Sequence, residues 1–267
     1  MRQLKNETLK CNLVQFKQTT LGPIYVYENA QYRWLTLDEK REQDAVIQGV
    51  MGKSKSEQVL VPVNQSMLLF LLKPVTNLKM LNLGLGTAGV ERVIYYLFNK
   101  TKFLNTLHTF NTVEINPDVV EIAQTHFYLP KPHSVFLQSA EQFIQQCKIK
   151  YDVITIDIFS GEYHQPFLNS ALFWQNVTRC CNSSSQITLN LNPKTGQELQ
   201  LLLALLRKYF KAIALVEFNE YKNIVIVLSP SSLKHITLDN IQDSDVFKHL
   251  APNLYQDINH IYHIESF

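Results

Sequence analysis

Apolar residues run from Leu78 to Leu83, stop at a cluster of glycines, and resume with helical spacing from about Val90 to Phe98. That order predicts a buried strand, a tight turn and an amphipathic helix. Strand and helix patterns then alternate down the chain. Phe110–Glu114 and Ser134–Leu137 read as strands, and Pro117–Phe127 and Ala140–Cys147 as helices. Tyr151–Asp157 and Gln186–Asn190 read as strands, and Ala171–Cys180 and Gly196–Phe210 as helices. Ala212–Phe218 and Asn223–Leu228 form a closing hairpin across Asn219–Lys222 and add one antiparallel edge strand. Alternation of this kind predicts an α/β fold with a mostly parallel sheet and right-handed crossovers.

Ahead of this unit, residues 1–55 read as a small β-region. Gly22–Glu28 and Tyr32–Asp38 are rich in aromatic and β-branched residues and are joined by Asn29-Ala-Gln, a hairpin signal. The tyrosines of this hairpin are expected to pack within it. Gln65–Leu72 is apolar enough for a buried helix. Residues 56–229 make the main domain. Residues 230–267 are polar with scattered aromatics and read as a tail packed on it.

Composition narrows the function. Hydrophobic residues make up 46% of the 267 and charged residues 18%, so a sizeable core forms. A net charge of +2 without a basic block argues against a nucleic-acid partner. No run approaches 18 apolar residues, and Met1–Gly22 holds no continuous apolar segment, so neither a membrane span nor a secretory signal is expected. Four cysteines, at 11, 147, 180 and 181, lack metal-ligand spacing and suit reduced thiols in a cytoplasmic protein. His260 and His263 have no carboxylate or cysteine at ligand spacing, so no metal is expected.

The candidate chemistry lies at the strand ends. Gly84, Gly86 and Gly89 fit G-x-G-x-x-G between a strand and a helix. In a nucleotide site the first permits the turn, the second lets a ligand approach bare backbone, and the third allows helix–strand packing. The helix N-terminus then offers free N–H groups to an anionic or polar group. Glycines also mark ordinary turns, so the context on both sides carries the reading. Glu114 ends the next strand, where an acidic residue accepts hydrogen bonds from ribose hydroxyls; a solvated carboxylate is the alternative. Asp157 ends Tyr151–Asp157 and would face the crevice as a general base, or would cap a loop. Glu162, Tyr163 and His164 follow closely and could line the same crevice, though His164 by itself reads as a loop residue rather than a catalytic one.

Taken in order, these pieces resemble the spermidine synthase (polyamine aminopropyltransferase) family over roughly residues 20–229. The likeness rests on Arg33–Asp38 with Gln48–Met51, on Gly84–Gly89, on Val113–Val120, on Gln138–Glu141 and on Tyr151–Gly161. The resemblance implies a Rossmann-like, methyltransferase-type sheet with helices on both faces. It implies decarboxylated S-adenosylmethionine as co-substrate, or S-adenosylmethionine itself, held by Gln48, Gly84, Gly86, Glu114, Ser139 and Ala140. It implies Asp157 as catalytic base, and a small-molecule amine as acceptor near Thr87, Ser160 and His164. It leaves a homodimer open. The chain departs from the family pattern at four places. Thr87 replaces an aspartate near the transferred group, and Ser139 an adenine-side aspartate. Ser160 and Gly161 replace a second aspartate and a proline, and Val61–Gln65 lacks an expected tyrosine. Altered or weak amine specificity is therefore expected. A methyltransferase and a non-catalytic adenosyl-nucleotide-binding protein are the alternative readings.

Overall fold

The computed structural model describes residues 1–39, 44–160 and 163–265, with the side chains of 160, 163, 164 and 265 left aside. The chain opens with α1 (Arg2–Asn6) and four strands, β1 (Leu13–Thr19), β2 (Gly22–Glu28), β3 (Tyr32–Thr36) and β4 (Ile47–Gly52). They form one antiparallel sheet in that order. Next come α2 (Pro62–Ser66), β5 (Leu78–Leu83), α3 (Gly89–Lys100), β6 (Leu107–Glu114), α4 (Pro117–His126), β7 (Ser134–Leu137) and α5 (Ala140–Gln146). Then follow β8 (Tyr151–Ile156), the two-residue strands β9 (Phe159–Ser160) and β10 (Tyr163–His164), α6 (Ala171–Arg179), β11 (Cys181–Leu191) and α7 (Gly196–Leu206). The chain closes with β12 (Ala212–Phe218), β13 (Ile224–Ser229), α8 (Leu238–Asp243), α9 (Asp245–Leu250), α10 (Leu254–Asp257) and β14 (Ile258–Glu265).

The main sheet has the order β14-β12-β13-β11-β8-β5-β6-β7. The strands from β11 to β7 are parallel, and β13 pairs antiparallel with both β11 and β12. Alternate side chains of each strand serve opposite faces. Leu78 and Met80 join Val93, Ile94 and Leu97 of α3 and the C-terminal helices on one face. Leu81 and Leu83 join Phe143, Trp174 and Leu202 of α5, α6 and α7 on the other. The fold is thus the expected α/β, Rossmann-like class with helices on both faces. Strands β6 and β7 are added on one side of β5, and β8 and β11 on the other, and this switch of order between the parallel β5 and β8 opens a crevice at their carboxyl ends.

Three expectations are corrected. The sheet does not end at the closing hairpin: β13 lies inside it, and β14, from the polar C-terminal segment, pairs with β12 as the outer strand. Residues 238–257 form three short helices whose Ile241, Phe247 and Leu254 enter the core, so this segment is more than a polar tail. The apolar run Gln65–Leu72 is not one helix. α2 stops at Ser66, a 3-10 turn covers Leu69–Leu72, and Lys73 turns extended. Lys73 precedes Pro74, and a residue before proline is pushed out of the helical region.

The N-terminal sheet bears directly on the crevice. Its Ile24, Val26, Leu35 and Met51 pack with Leu85 and Ala88 of the glycine loop and with Val119, Ile122 and Ala123 of α4. Tyr25, Tyr27 and Trp34 stay with Leu4 and Val50 in a core of their own, as hairpin packing predicts.

Candidate active site

A cavity of about 600 Å³ lies at the carboxyl ends of β5, β6 and β8, under the N-terminal sheet. Gln48, Gly84, Gly86, Thr87, Glu114, Ser139, Ala140 and Asp157 all line it. Ser160 and His164 lie in β9 and β10, and the part their side chains would play falls outside the described residues.

The three glycines turn out to do different work. At Gly84, φ is +98° and an added Cβ would stand 2.1 Å from the carbonyl oxygen of Asp157, so β5 and β8 close up only over a bare backbone. Gly86 has φ +51° and nothing within 4 Å of a would-be Cβ, which leaves open space beside bare backbone. At Gly89 a Cβ would also meet nothing, so the helix-packing part expected of this glycine is absent. The left-handed residue at the helix start is instead Ala88, with φ +53°.

Glu114 binds the loop it faces. Its carboxylate accepts from Leu85 N at 3.1 Å and from Asn116 N at 2.9 Å. Burial pushes its carboxyl above the usual range, against the pull of those backbone N–H groups. Ser139 is the N-cap of α5, its Oγ accepting from Gln142 N at 3.2 Å. Serine with glutamine three residues later is a capping signal legible in the sequence.

Asp157 stands at the end of β8 with both carboxylate oxygens engaged. Asn64 Nδ2 donates to Oδ2 at 3.1 Å and Asn190 Nδ2 to Oδ1 at 2.9 Å. Asn223 Nδ2 donates in turn to Asn190 Oδ1 at 2.9 Å. Burial pushes the Asp157 carboxyl upward, and the two carboxamides oppose it.

Beneath the loop lies a second polar cluster. Glu91, fully buried, accepts from Asn82 Nδ2 at 2.7 Å and Thr112 Oγ1 at 2.6 Å, and Asn82 also donates to the Gly84 carbonyl. Arg92, also buried, donates to the carbonyls of Ser56, Thr87 and Phe127. Burial lowers its guanidinium to about 10.

No family model matches the sequence. A curated polyamine aminopropyltransferase of Vibrio vulnificus (strain CMCP6) is 27% identical over 186 residues, 67% of this chain; the chain spans 58% of that relative's length. A probable spermidine synthase from Corynebacterium glutamicum ATCC 13032 superposes with a TM-score of 0.72 at 11% identity, over 94% of this chain and 90% of that one. A spermidine synthase in complex with the transition state analogue AdoDATO superposes at 0.60 with 14% identity, over 88% and 78%. The chain is thus similar in part of its sequence to a polyamine aminopropyltransferase and shares the fold of the spermidine synthases.

The departures from the spermidine synthase pattern acquire a geometry. Thr87 is buried, and a Cβ added at Gly49 of β4 would stand 2.5 Å from both its Cγ2 and its Oγ1. Thr87 thus lines the cavity while wedged against the N-terminal sheet. Where the expected tyrosine is missing, Asn64 of α2 meets Asp157. Sequence reading overlooked Asn64, Asn190 and Asn223. Asn190 ends an apolar strand on the crevice side, the same signal that marked Glu114 and Asp157. Asn223 carries no local signal.

Proposed function

We propose that this chain is a spermidine synthase-like aminopropyltransferase, moving an aminopropyl group from decarboxylated S-adenosylmethionine to an amine of altered specificity. The observation that carries the reading is the pairing, in one cavity, of the Gly84–Gly86 loop and Glu114 with the carboxylate of Asp157. A volume of about 600 Å³ suits a nucleoside with a small second substrate, since such sites run from roughly 300 to 1,000 Å³. The open backbone at Gly86 and the carboxylate of Glu114 would hold the nucleoside. The sulfonium of the bound nucleotide supplies an activated methylene carbon. The acceptor nitrogen attacks that carbon, the carbon–sulfur bond breaks, and methylthioadenosine leaves with the bonding pair. The proton released from the amine goes to Asp157, which both carboxamides hold as an acceptor.

One observation separates the two sulfonium nucleotides. Among the described residues lining the cavity, Arg92 is the one cation, and its guanidinium is spent on three backbone carbonyls. The carboxylate of intact S-adenosylmethionine would find no free cation there, which supports the decarboxylated form. The test is incubation with decarboxylated S-adenosylmethionine and a panel of amines, followed by assay for methylthioadenosine. Release dependent on one amine and lost in Asp157→Asn is expected. Methyl transfer from S-adenosylmethionine would establish the methyltransferase instead, and nucleotide binding without turnover a binding protein.

A further inference from the structure

The three asparagines around Asp157 come from α2, from the end of β11 and from the start of β13, and they do not have equal freedom. Asn64 makes one bond to Asp157. Asn190 is buried and placed between two partners, donating to Asp157 and accepting from Asn223. A carboxamide donates at one end and accepts at the other. With the Asn223 donor facing Oδ1 of Asn190, the Nδ2 end of Asn190 must face Asp157. The opposite direction along the row, with Asn190 Oδ1 toward Asp157, requires a proton on Asp157 to fill the contact.

We propose that Asn223 is a positioning residue for Asp157: acting through Asn190, it holds the carboxylate as a proton acceptor with its remaining lone pairs free toward the cavity. Asn223 itself is not among the residues lining the cavity. The antiparallel β12–β13 hairpin, which lies inside the sheet, thereby takes part in the site. The role for Asp157 rests on the aminopropyl-transfer reading; the hydrogen-bonded row does not.

The test uses the full chain and two variants. Asn223→Ala removes the orienting donor. Asn223→Asp keeps the shape but only accepts, so it turns the Asn190 donor away from Asp157 and adds a negative charge. Carboxyl-carbon NMR follows the titration of Asp157, its signal assigned by loss in Asp157→Asn. In the wild type the shift of this group comes from burial and from the two carboxamides. Asn223→Ala should raise the Asp157 midpoint by roughly one pH unit, and Asn223→Asp by more. With an amine that supports turnover, the acid limb of the kcat–pH profile should move by the same amount, while the KM for the nucleotide stays within about twofold. An unmoved Asp157 midpoint in either folded variant overturns the proposal. If only Asn223→Asp folds, its midpoint decides. If the wild type releases no methylthioadenosine with any amine, the functional reading fails while the NMR titration still decides the row.

Discussion

Three single substitutions in one loop, Gly84→Ala, Gly86→Ala and Gly89→Ala, should separate widely, because the added methyl meets a different environment at each. At Gly84 it would stand 2.1 Å from the Asp157 carbonyl oxygen and 3.0 Å from its carbon, at φ +98°. Relief requires β5 and β8 to part by roughly an ångström, at the point where Asp157 N bonds Leu83 O at 2.9 Å. The backbone conformation costs about 1–2 kcal/mol, and the weakened hydrogen bond roughly 0.5–1.5 more. A total of about 2–3 kcal/mol corresponds to a fall in Tm of roughly 4–12 °C for a domain near this size. Asp157 moves with its carbonyl, so turnover should fall with stability.

Gly86→Ala keeps a conformation that costs about 1 kcal/mol but meets no atom. Its methyl enters the cavity, so weaker methylthioadenosine binding with a small loss of Tm is expected. Gly89→Ala meets nothing and needs no left-handed backbone, so restricting the unfolded chain should stabilise the protein by roughly 0.4–1 kcal/mol. Thermal unfolding by circular dichroism and calorimetric titration with methylthioadenosine read out all three. A Gly84→Ala protein as stable as the parent, or a Gly89→Ala protein as damaged as Gly84→Ala, would refute the reasoning.

Glu114→Gln should lose both stability and nucleotide affinity, because an amide cannot accept from both Leu85 N and Asn116 N; the facing donors cost about 1–3 kcal/mol, measured as a lower Tm and a higher Kd for methylthioadenosine. Thr87→Asp places a carboxylate in the buried contact with Gly49 and should destabilise by about 1–3 kcal/mol; a variant of unchanged Tm that turns over putrescine would show that the wedge opens freely. His133 is lowered to about 4 by burial, so the unfolded chain takes up its proton near pH 6.5 while the folded one does not. Its contribution is therefore complete above about pH 6.5 and is lost as pH falls toward 4, by up to about 3 kcal/mol. Tm against pH should show this acid limb, and His133→Gln should flatten it. The raised carboxyl of Asp157 acts in the opposite sense: its neutral form is favoured on folding, so that contribution fades as pH rises through its folded value, and Asp157→Asn should remove the fading.

What was legible in the sequence was whatever a short stretch decides for itself. The strand–glycine–helix unit, Glu114 and Asp157 at strand ends, and the mostly parallel character of the sheet all follow from local periodicity and crossover rules. β14 was missed because Ile258, Ile261, Tyr262 and Ile264 break the period of two that marks a strand, and what secures it is pairing with β12. The glycine fingerprint proved legible but misleading in its third position, since a Cβ at Gly89 would meet nothing and no close packing requires that glycine. The row of asparagines was illegible for a different reason. Asn64 and Asp157 lie 93 residues apart, and Asp157, Asn190 and Asn223 follow at intervals of 33. Only the sheet order, with β13 beside β11 and β11 beside β8, brings the last three together.

On the aminopropyl-transfer reading, the two ends of the cavity are built on different principles, and this bears on how the chain differs from the spermidine synthases. At the nucleoside end the working groups are largely backbone: the turn at Gly84, the bare chain at Gly86, and the N–H groups that hold Glu114. Backbone geometry survives wide changes of side chain, so a nucleoside site can persist at low sequence identity. At the acceptor end the groups are side chains from separate elements, Asn64 from α2 and Asp157 after β8 on the cavity wall, with Asn190 from β11 and Asn223 at β13 behind Asp157. Each can be exchanged without touching the nucleoside end. Three of the four are neutral carboxamides, and Thr87, in place of a further carboxylate, is held against Gly49. Among the described carboxylates lining the cavity, Glu114 is bound to its loop and Glu141 stands beside the Ser139 cap of α5, which leaves Asp157 to hold a cation at the acceptor end. A diamine with two charged ends finds one anchor there, whereas an acceptor with one amine and a neutral body needs no more than that. The divergence in sequence should thus appear first in the choice of amine and last in the choice of nucleotide.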